Sequence, residues 1–170
     1  MRILGIDPGC ERTGYALIES DGSWHSVVTY GAIATARRSP FHKRLQKIYT
    51  GLRAILQQQK ADVMAIEEVF YAANVQAALK LGHARGVALL VAAEFELPVH
   101  EYSALEIKRA IVGYGRAEKQ QVQGMVQLLL RLPAPPAPDD AADALAVAIC
   151  HSHQSIRTAG FGVGGGKKGG

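Results

Sequence analysis

Three strand-like runs packed into the first 33 residues constrain the fold more than any other feature of the chain. Residues 2–6 (Arg-Ile-Leu-Gly-Ile) are short and mostly apolar, as a buried strand requires. Asp7 follows, and Pro8-Gly9 turns the chain at once. Residues 13–19 read as a second strand, Ser20 to Ser23 as a hairpin-type turn, and residues 24–33 as a third strand antiparallel to the second. Connections this short cannot hold a parallel crossover, so the chain opens with an antiparallel meander.

The pattern then changes. Residues 34–40 are a polar loop, with Ser39 as the expected cap and Pro40 in the first turn of an amphipathic helix. That helix carries Phe41, Leu45, Ile48, Leu52, Ile55 and Leu56 on its core face, and it reads as scaffold. Residues 61–66 form a short buried strand that runs into Glu67-Glu68. A connector with Phe70 and Tyr71 leads to Asn74, the cap of a helix reaching about Glu96. This helix is apolar over a wide face (Val75, Leu79, Gly82, Gly86, Leu90 among others), so it is expected to be buried, its two glycines allowing close approach within the chain or in a homodimer.

Residues 97–102 give the next strand. Residues 103–112 read as a helix with Ser103 and Glu106 in a capping box, ended by Gly113-Tyr114-Gly115. Residues 117–130 are another helix, residues 132–138 a stiff, Pro-rich extended loop, and Asp139 opens a last helix through about His153. From Ile156 the glycine-rich, basic remainder reads as disordered, giving a domain at 1–155 and a tail at 156–170. Strands joined first by turns and then through helices predict an α/β fold with a mixed sheet.

A chain of 170 residues, 48% of them hydrophobic, can bury a real core. No signal peptide shows at the start, no apolar run approaches the roughly 20 residues of a membrane span, and Cys10 and Cys150 form neither a disulfide framework nor a zinc pattern. A cytoplasmic location is expected. The excess of 19 Lys and Arg over 15 Asp and Glu is modest but clustered. Arg37, Arg38, Lys43, Arg44 and Lys47 form one group; Lys108, Arg109, Arg116 and Lys119 form another. Each suits a polyanion or a solvated face.

Three acidic stations stand out: Asp7 after the first strand, Glu67 or Glu68 after the fourth, and Asp139-Asp140-Ala141-Ala142-Asp143 at the last helix start. Adjacent residues of a strand face opposite ways, so at most one of the glutamates can face Asp7. Two of the aspartates three or four apart share a helix face. If the stations converge, the carboxylates need a counter-charge. Oxygen ligands without a His or Cys cluster suit Mg²⁺ or Mn²⁺. Two such ions about 3.5–4 Å apart can activate a water and stabilise the leaving oxygen of a phosphodiester. Neutralising four carboxylates would leave the basic residues in clear excess, which favours a nucleic-acid substrate.

Six segments together resemble the RuvC family of bacterial Holliday-junction resolvases: Gly-Ile-Asp-Pro-Gly at 5–9, Arg-Thr-Gly-Tyr at 12–15, Ala-Ile-Glu-Glu-Val-Phe at 65–70, Ala-Leu-Lys-Leu-Gly-His-Ala-Arg-Gly-Val at 78–87, Ala-Glu-Lys-Gln-Gln-Val at 117–122 and Asp-Ala-Ala-Asp-Ala-Leu-Ala at 140–146. The resemblance covers about residues 1–153. It implies an RNase H-like fold with a five-stranded mixed sheet flanked by helices, a homodimer, and divalent-metal cleavage of four-way DNA junctions by two symmetric nicks. It implies Asp7, Glu67, Asp140 and Asp143 as metal-binding catalytic carboxylates, with two Mg²⁺ per site and Mn²⁺ as a substitute. Glu68 falls where the family often has glutamine, and Asp139 is an extra carboxylate. Lys108 and Lys119 match basic residues near the scissile phosphate, with Lys119 stabilising its charge. Phe70 matches an aromatic that wedges against junction bases, and Arg116 is expected among the DNA contacts. RuvA and RuvB, a branch-migration motor, are implied as partners. Sugar-kinase and actin-like ATPases share the opening motif but need a second domain, for which the chain is too short. YqgF-type nucleases share the opening motif, but the long glycine-bearing helix and Asp-Ala-Ala-Asp fit the RuvC family better; a junction-binding protein without activity would tolerate loss of the carboxylates, and all four are present.

Overall fold

The computed structural model describes the backbone of residues 1–68 and 74–161 and the side chains through residue 155. Strands β1 (Arg2–Asp7), β2 (Arg12–Ser20), β3 (His25–Ala34), β4 (Val63–Glu67) and β5 (Val99–Tyr102) form one sheet in the order β3-β2-β1-β4-β5. The meander is antiparallel, while β4 and β5 pair parallel to β1 and to each other. The mixed sheet therefore follows the order of turns and helices in the chain.

Alternation along the strands divides the core into two layers. Leu4, Ile6, Leu17, Met64 and Ile66 face α1 (Phe41–Gln58) and α2 (Val75–Glu94). Ile3, Ala16, Ile18, Val63 and Ala65 face α3 (Ala104–Val112), α4 (Lys119–Leu129) and α5 (Asp139–Phe161). Both faces of the central strands are covered, which is why β1 and β4 read as continuous apolar runs.

Helix α5 lies against β1 and β2, and two glycines set how closely. A Cβ on Gly5 would fall 2.2 Å from the Ala144 carbonyl oxygen, and one on Gly14 would fall 1.9 Å from that of Asp140. Only a hydrogen fits at either point. At its far end α5 is tied to the meander through Ser152 Oγ, 2.6 Å from Ser20 Oγ, and to β5 through His151 Nδ1, 2.7 Å from the Tyr102 hydroxyl.

Several local expectations change. The N-cap of α1 is Pro40, with no side-chain cap, so Ser39 does not cap it. The third strand begins at His25 because Trp24 belongs to the turn, where Asp21 accepts from the Ser23 and Trp24 backbone N–H groups. Segment 132–138 bends repeatedly and contains a cis Ala137–Pro138 peptide, so it is not extended. Helix α5 continues to Phe161, past the expected end near His153 and into the tail, because Ile156, Arg157, Thr158 and Ala159 contain no breaker. The Ser103–Glu106 capping box and the Asn74 cap of α2 form as expected, and α3 ends where expected, at Gly113, which takes up the left-handed conformation.

Helix α2 differs most. It buries Ala84, Ala88, Val91 and Ala92, the stripe that meets the sheet. The face singled out in the sequence points away: Val75 is 72% exposed, Leu79 60% and Leu90 56%. A Cβ on Gly82 or Gly86 would meet nothing within 4 Å, so these glycines do not serve close packing within the chain. A helix buries only the stripe against its layer, and the apolar pattern of α2 is wide enough to hold two stripes.

Candidate active site

The two parallel strands at the centre of the sheet end side by side. Ile6 of β1 is in register with Ile66 of β4, so Asp7 and Glu67 are the next residues of adjacent strands. Each has the parity of a residue that faces α5, Gly5 and Ala65 respectively. Glu68 has the opposite parity and is exposed, which separates the two glutamates. On β2, Gly14 is the register partner of Asp7, and the first turn of α5 rests on it. The close seat thereby brings Asp140, and Asp143 one turn on, to the strand ends carrying Asp7 and Glu67.

The electrostatics record this convergence. Burial first, then the charges of Glu67, Asp143 and Asp140, push the Asp7 carboxyl up to about 8, and Lys119 only partly offsets them. Glu67 is raised by burial and by Asp143, and is drawn back by Lys119 and Lys108. Asp7 therefore sits where carboxylate charge exceeds what the protein neutralises. Among the described residues, no three acidic, His or Cys side chains stand close enough to enclose a cation by themselves. Lys119 takes up part of the acidic group instead: its Nζ donates to Asp143 Oδ2 at 2.8 Å and lies 3.5 Å from Asp139 Oδ2. Burial pulls the Lys119 ammonium down, but Asp143 and then Asp139 hold it above its ordinary value. The donor set is all oxygen and electron-rich, which fits hard divalent cations and does not fit zinc.

Beside the carboxylates lies a cleft of about 240 Å³ lined by Glu67, Asp143, Lys108 and Lys119, with Ile107 and Val122 at its base. Both expected lysines thus line one cleft with Glu67 and Asp143. Arg116 is exposed in the α3–α4 connection and is not part of this lining. Phe70 lies outside the described residues.

Two further residues, Arg12 and Gln123, join the site without having been singled out from the sequence. Arg12 Nη1 is 4.0 Å from Asp140 Oδ2. Gln123 Nε2 donates to Asp139 Oδ1 at 3.1 Å, so Asp139 bridges α4 and α5. Their signals were indirect: Arg12 starts the Arg-Thr-Gly-Tyr segment, and Gln123 lies one turn after Lys119.

The sequence matches the family described as crossover junction endodeoxyribonuclease RuvC over residues 3–151. A protein of that description from Desulforamulus reducens is 52% identical over 155 residues, covering 91% of this chain and 95% of the relative. One from Citrifermentans bemidjiense is 54% identical over 155 residues, with 91% and 94% covered. The solved structure of T. thermophilus RuvC in complex with Holliday junction substrate superposes with a TM-score of 0.89 at 30% identity, over 93% of this chain and 96% of that one. The yeast mitochondrial Holliday junction resolvase shares the fold, with a TM-score of 0.65 at 13% identity over 94% and 82% of the two chains. The expected RNase H-like architecture is thus the observed one. Matched along nearly all of its described length, the chain belongs to the RuvC family of crossover junction endodeoxyribonucleases.

Proposed function

We propose that this chain cuts four-way DNA junctions by hydrolysis of phosphodiesters at the cleft between β1, β4 and α5, with Asp7, Glu67, Asp140 and Asp143 as metal ligands. The observation that carries this reading is the convergence of Asp7 and Glu67, at the ends of paired strands, with Asp140 and Asp143 from the close-seated first turns of α5; burial and these neighbouring charges push the Asp7 carboxyl up to about 8. Nucleases of this family generally depend on divalent metal, and an oxygen-only acidic cluster suits two Mg²⁺, or Mn²⁺ in their place. Such ions supply counter-charge and Lewis acidity for activating water and easing departure of the leaving oxygen.

The chain's own residues do the rest. Asp7 and Glu67 fix the floor of the site because they extend paired strands. Asp140 and Asp143 close it from α5. Lys119, held at the cleft by Asp143 and Asp139, would stabilise charge on the reacting phosphate, and Asp143 would be among the residues that hold a metal. Lys108, across the same cleft, orients the DNA backbone. Phe70, three residues past Glu67, is proposed to wedge against junction bases, and Arg116 to reach an outer phosphate.

Two symmetric nicks need two sites. The outward apolar face of α2, with Leu79, Leu90 and the uncovered Gly82 and Gly86, supports a homodimer. Family membership supports RuvA and RuvB as branch-migration partners. A cytoplasmic location fits two free cysteines, and among the described residues no helix is long and apolar enough to cross a membrane.

The test is cleavage of a synthetic four-way junction and of linear duplex in Mg²⁺ and in EDTA, with wild type and Asp7→Asn. Paired nicks in the junction alone, lost in EDTA and lowered at least about 100-fold in the variant, are expected. A folded, junction-binding Asp7→Asn that cuts at the wild-type rate overturns the assignment.

A further inference from the structure

A second cleft, of about 520 Å³, opens on the other side of Asp140, between the β1–β2 turn and α2. Its lining includes Arg12, Arg44 and Lys80. Two carboxylates also line it, and both are engaged: Glu11 pairs with Arg37 at 2.7 Å, and Asp140 with Arg12 at 4.0 Å. Among the described residues, Arg44 and Lys80 form no salt bridge. Unpaired cations gathered in a concavity repel one another, so the arrangement gains from a bound anion.

The cleft is also built rigidly onto the turn that follows Asp7. Arg44 Nη2 donates to the Cys10 carbonyl oxygen at 2.7 Å, and its Nε donates to Thr35 Oγ1 at 3.1 Å. These bonds leave the Nη1 donors without a hydrogen-bond partner among the described residues. The Thr35 hydroxyl donates to the same Cys10 carbonyl at 2.6 Å, and buried Thr13 donates to the Gly9 carbonyl at 2.8 Å. Cys10 Sγ donates to the Lys80 carbonyl oxygen at 2.8 Å, which ties α2 to the turn. Hence the Arg44 guanidinium and the Lys80 backbone hold fixed places relative to Asp7.

We propose that this second cleft is a subsite for a backbone phosphate of the DNA other than the scissile one, held by Arg44 and Lys80 with Arg12 at its inner edge. The subsite rests on the nuclease reading above and deepens it. The phosphate held here sets the register of the strand, so that one phosphodiester, and not its neighbour, lies over the carboxylates. The free Nη1 donors of a pre-ordered arginine suit a phosphate diester, and the flexible lysine adds a point charge.

The test measures metal-free binding of four-way junctions in which single phosphates near the cut are replaced one at a time by neutral methylphosphonates, on the cut strand and on the strand opposite. Wild type is compared with Lys80→Gln, a substitution at an exposed side chain. At one position the replacement is expected to weaken wild-type binding about 3- to 10-fold and Lys80→Gln binding clearly less, since only Arg44 still faces the phosphate there. The variant is also expected to lower the salt dependence of binding by about 0.7–0.9 in the log–log slope. The strand on which that position falls identifies the source of the phosphate. If wild type binds the unmodified junction but every replacement acts equally on both proteins, the subsite is overturned and the nuclease reading stands. If wild type binds no junction, both are overturned.

Discussion

Asp7 is held in a place that costs the metal-free protein stability. Its carboxyl is pushed up to about 8 by burial and by three neighbouring carboxylates, whereas in the unfolded chain it titrates near 3.8. Between those values the folded protein retains a proton that the unfolded chain has released. The folded state therefore binds more protons, and its stability falls as pH rises through the window. Asparagine at this position removes the dependence. In EDTA, Asp7→Asn is expected to melt close to wild type at pH 4 and progressively above it towards pH 8, with Mg²⁺ restoring the wild type. A gap that stays constant with pH would show that Asp7 is not the group responsible. Asp7 itself was legible in the sequence because an acidic residue at the end of an apolar run is a local signal. The separation of Glu67 from Glu68 rests on strand parity combined with the register of β1 against β4, and only the structure supplies that register. Arg12, Gln123 and Asp139 were not legible in these roles, since each depends on packing between elements far apart in the chain.

At the scale of elements, the position of α5 decides whether the four carboxylates meet. Gly14 allows the first turn of that helix to touch β2, and a methyl group there would stand 1.9 Å from the Asp140 carbonyl oxygen. Backbone cannot yield as a flexible side chain does. Gly14→Ala is expected to destabilise the protein by about 3 kcal/mol, at the upper end of overpacking costs, and to reduce cleavage further than the loss of folded protein explains. Thermal melting together with the cleavage rate per folded molecule checks both; an unchanged melting temperature would mean that the seat is looser than described. Most element types were readable from periodicity and caps. The capping box of α3 is encoded within four residues, and it formed as expected. The outward turn of α2 was not readable, because a wide apolar face does not say which half meets the sheet.

For the molecule as a whole, the outward face of α2 is the surface proposed to receive a second copy. Val75, Leu79 and Leu90 are each more than half exposed, and Gly82 and Gly86 leave the backbone between them open to close approach. Leu79→Glu combined with Leu90→Glu is expected to leave the subunit folded, because both side chains are solvent-facing in the single chain. The same pair should shift the protein from dimer to monomer in analytical ultracentrifugation and turn paired nicking into isolated single nicks. A variant that remains dimeric would place the interface elsewhere.

Adjacent strands in a hydrogen-bonded ladder lie about 4.8 Å apart, whatever side chains they carry. Because Asp7 and Glu67 extend two such strands from the register pair Ile6 and Ile66, the peptide backbone acts as a gauge for the span between their anchoring points. Core side chains can then drift without altering that span, provided the ladder holds. A slip of β4 by a single residue would do the opposite: Glu67 would swing to the layer of α1 and α2, Glu68 would take its position, and Met64 and Ile66 would be driven into the layer of α5. Drift in the core and slippage of the ladder thus have unequal consequences, the first absorbed by repacking and the second felt at once at the proposed site.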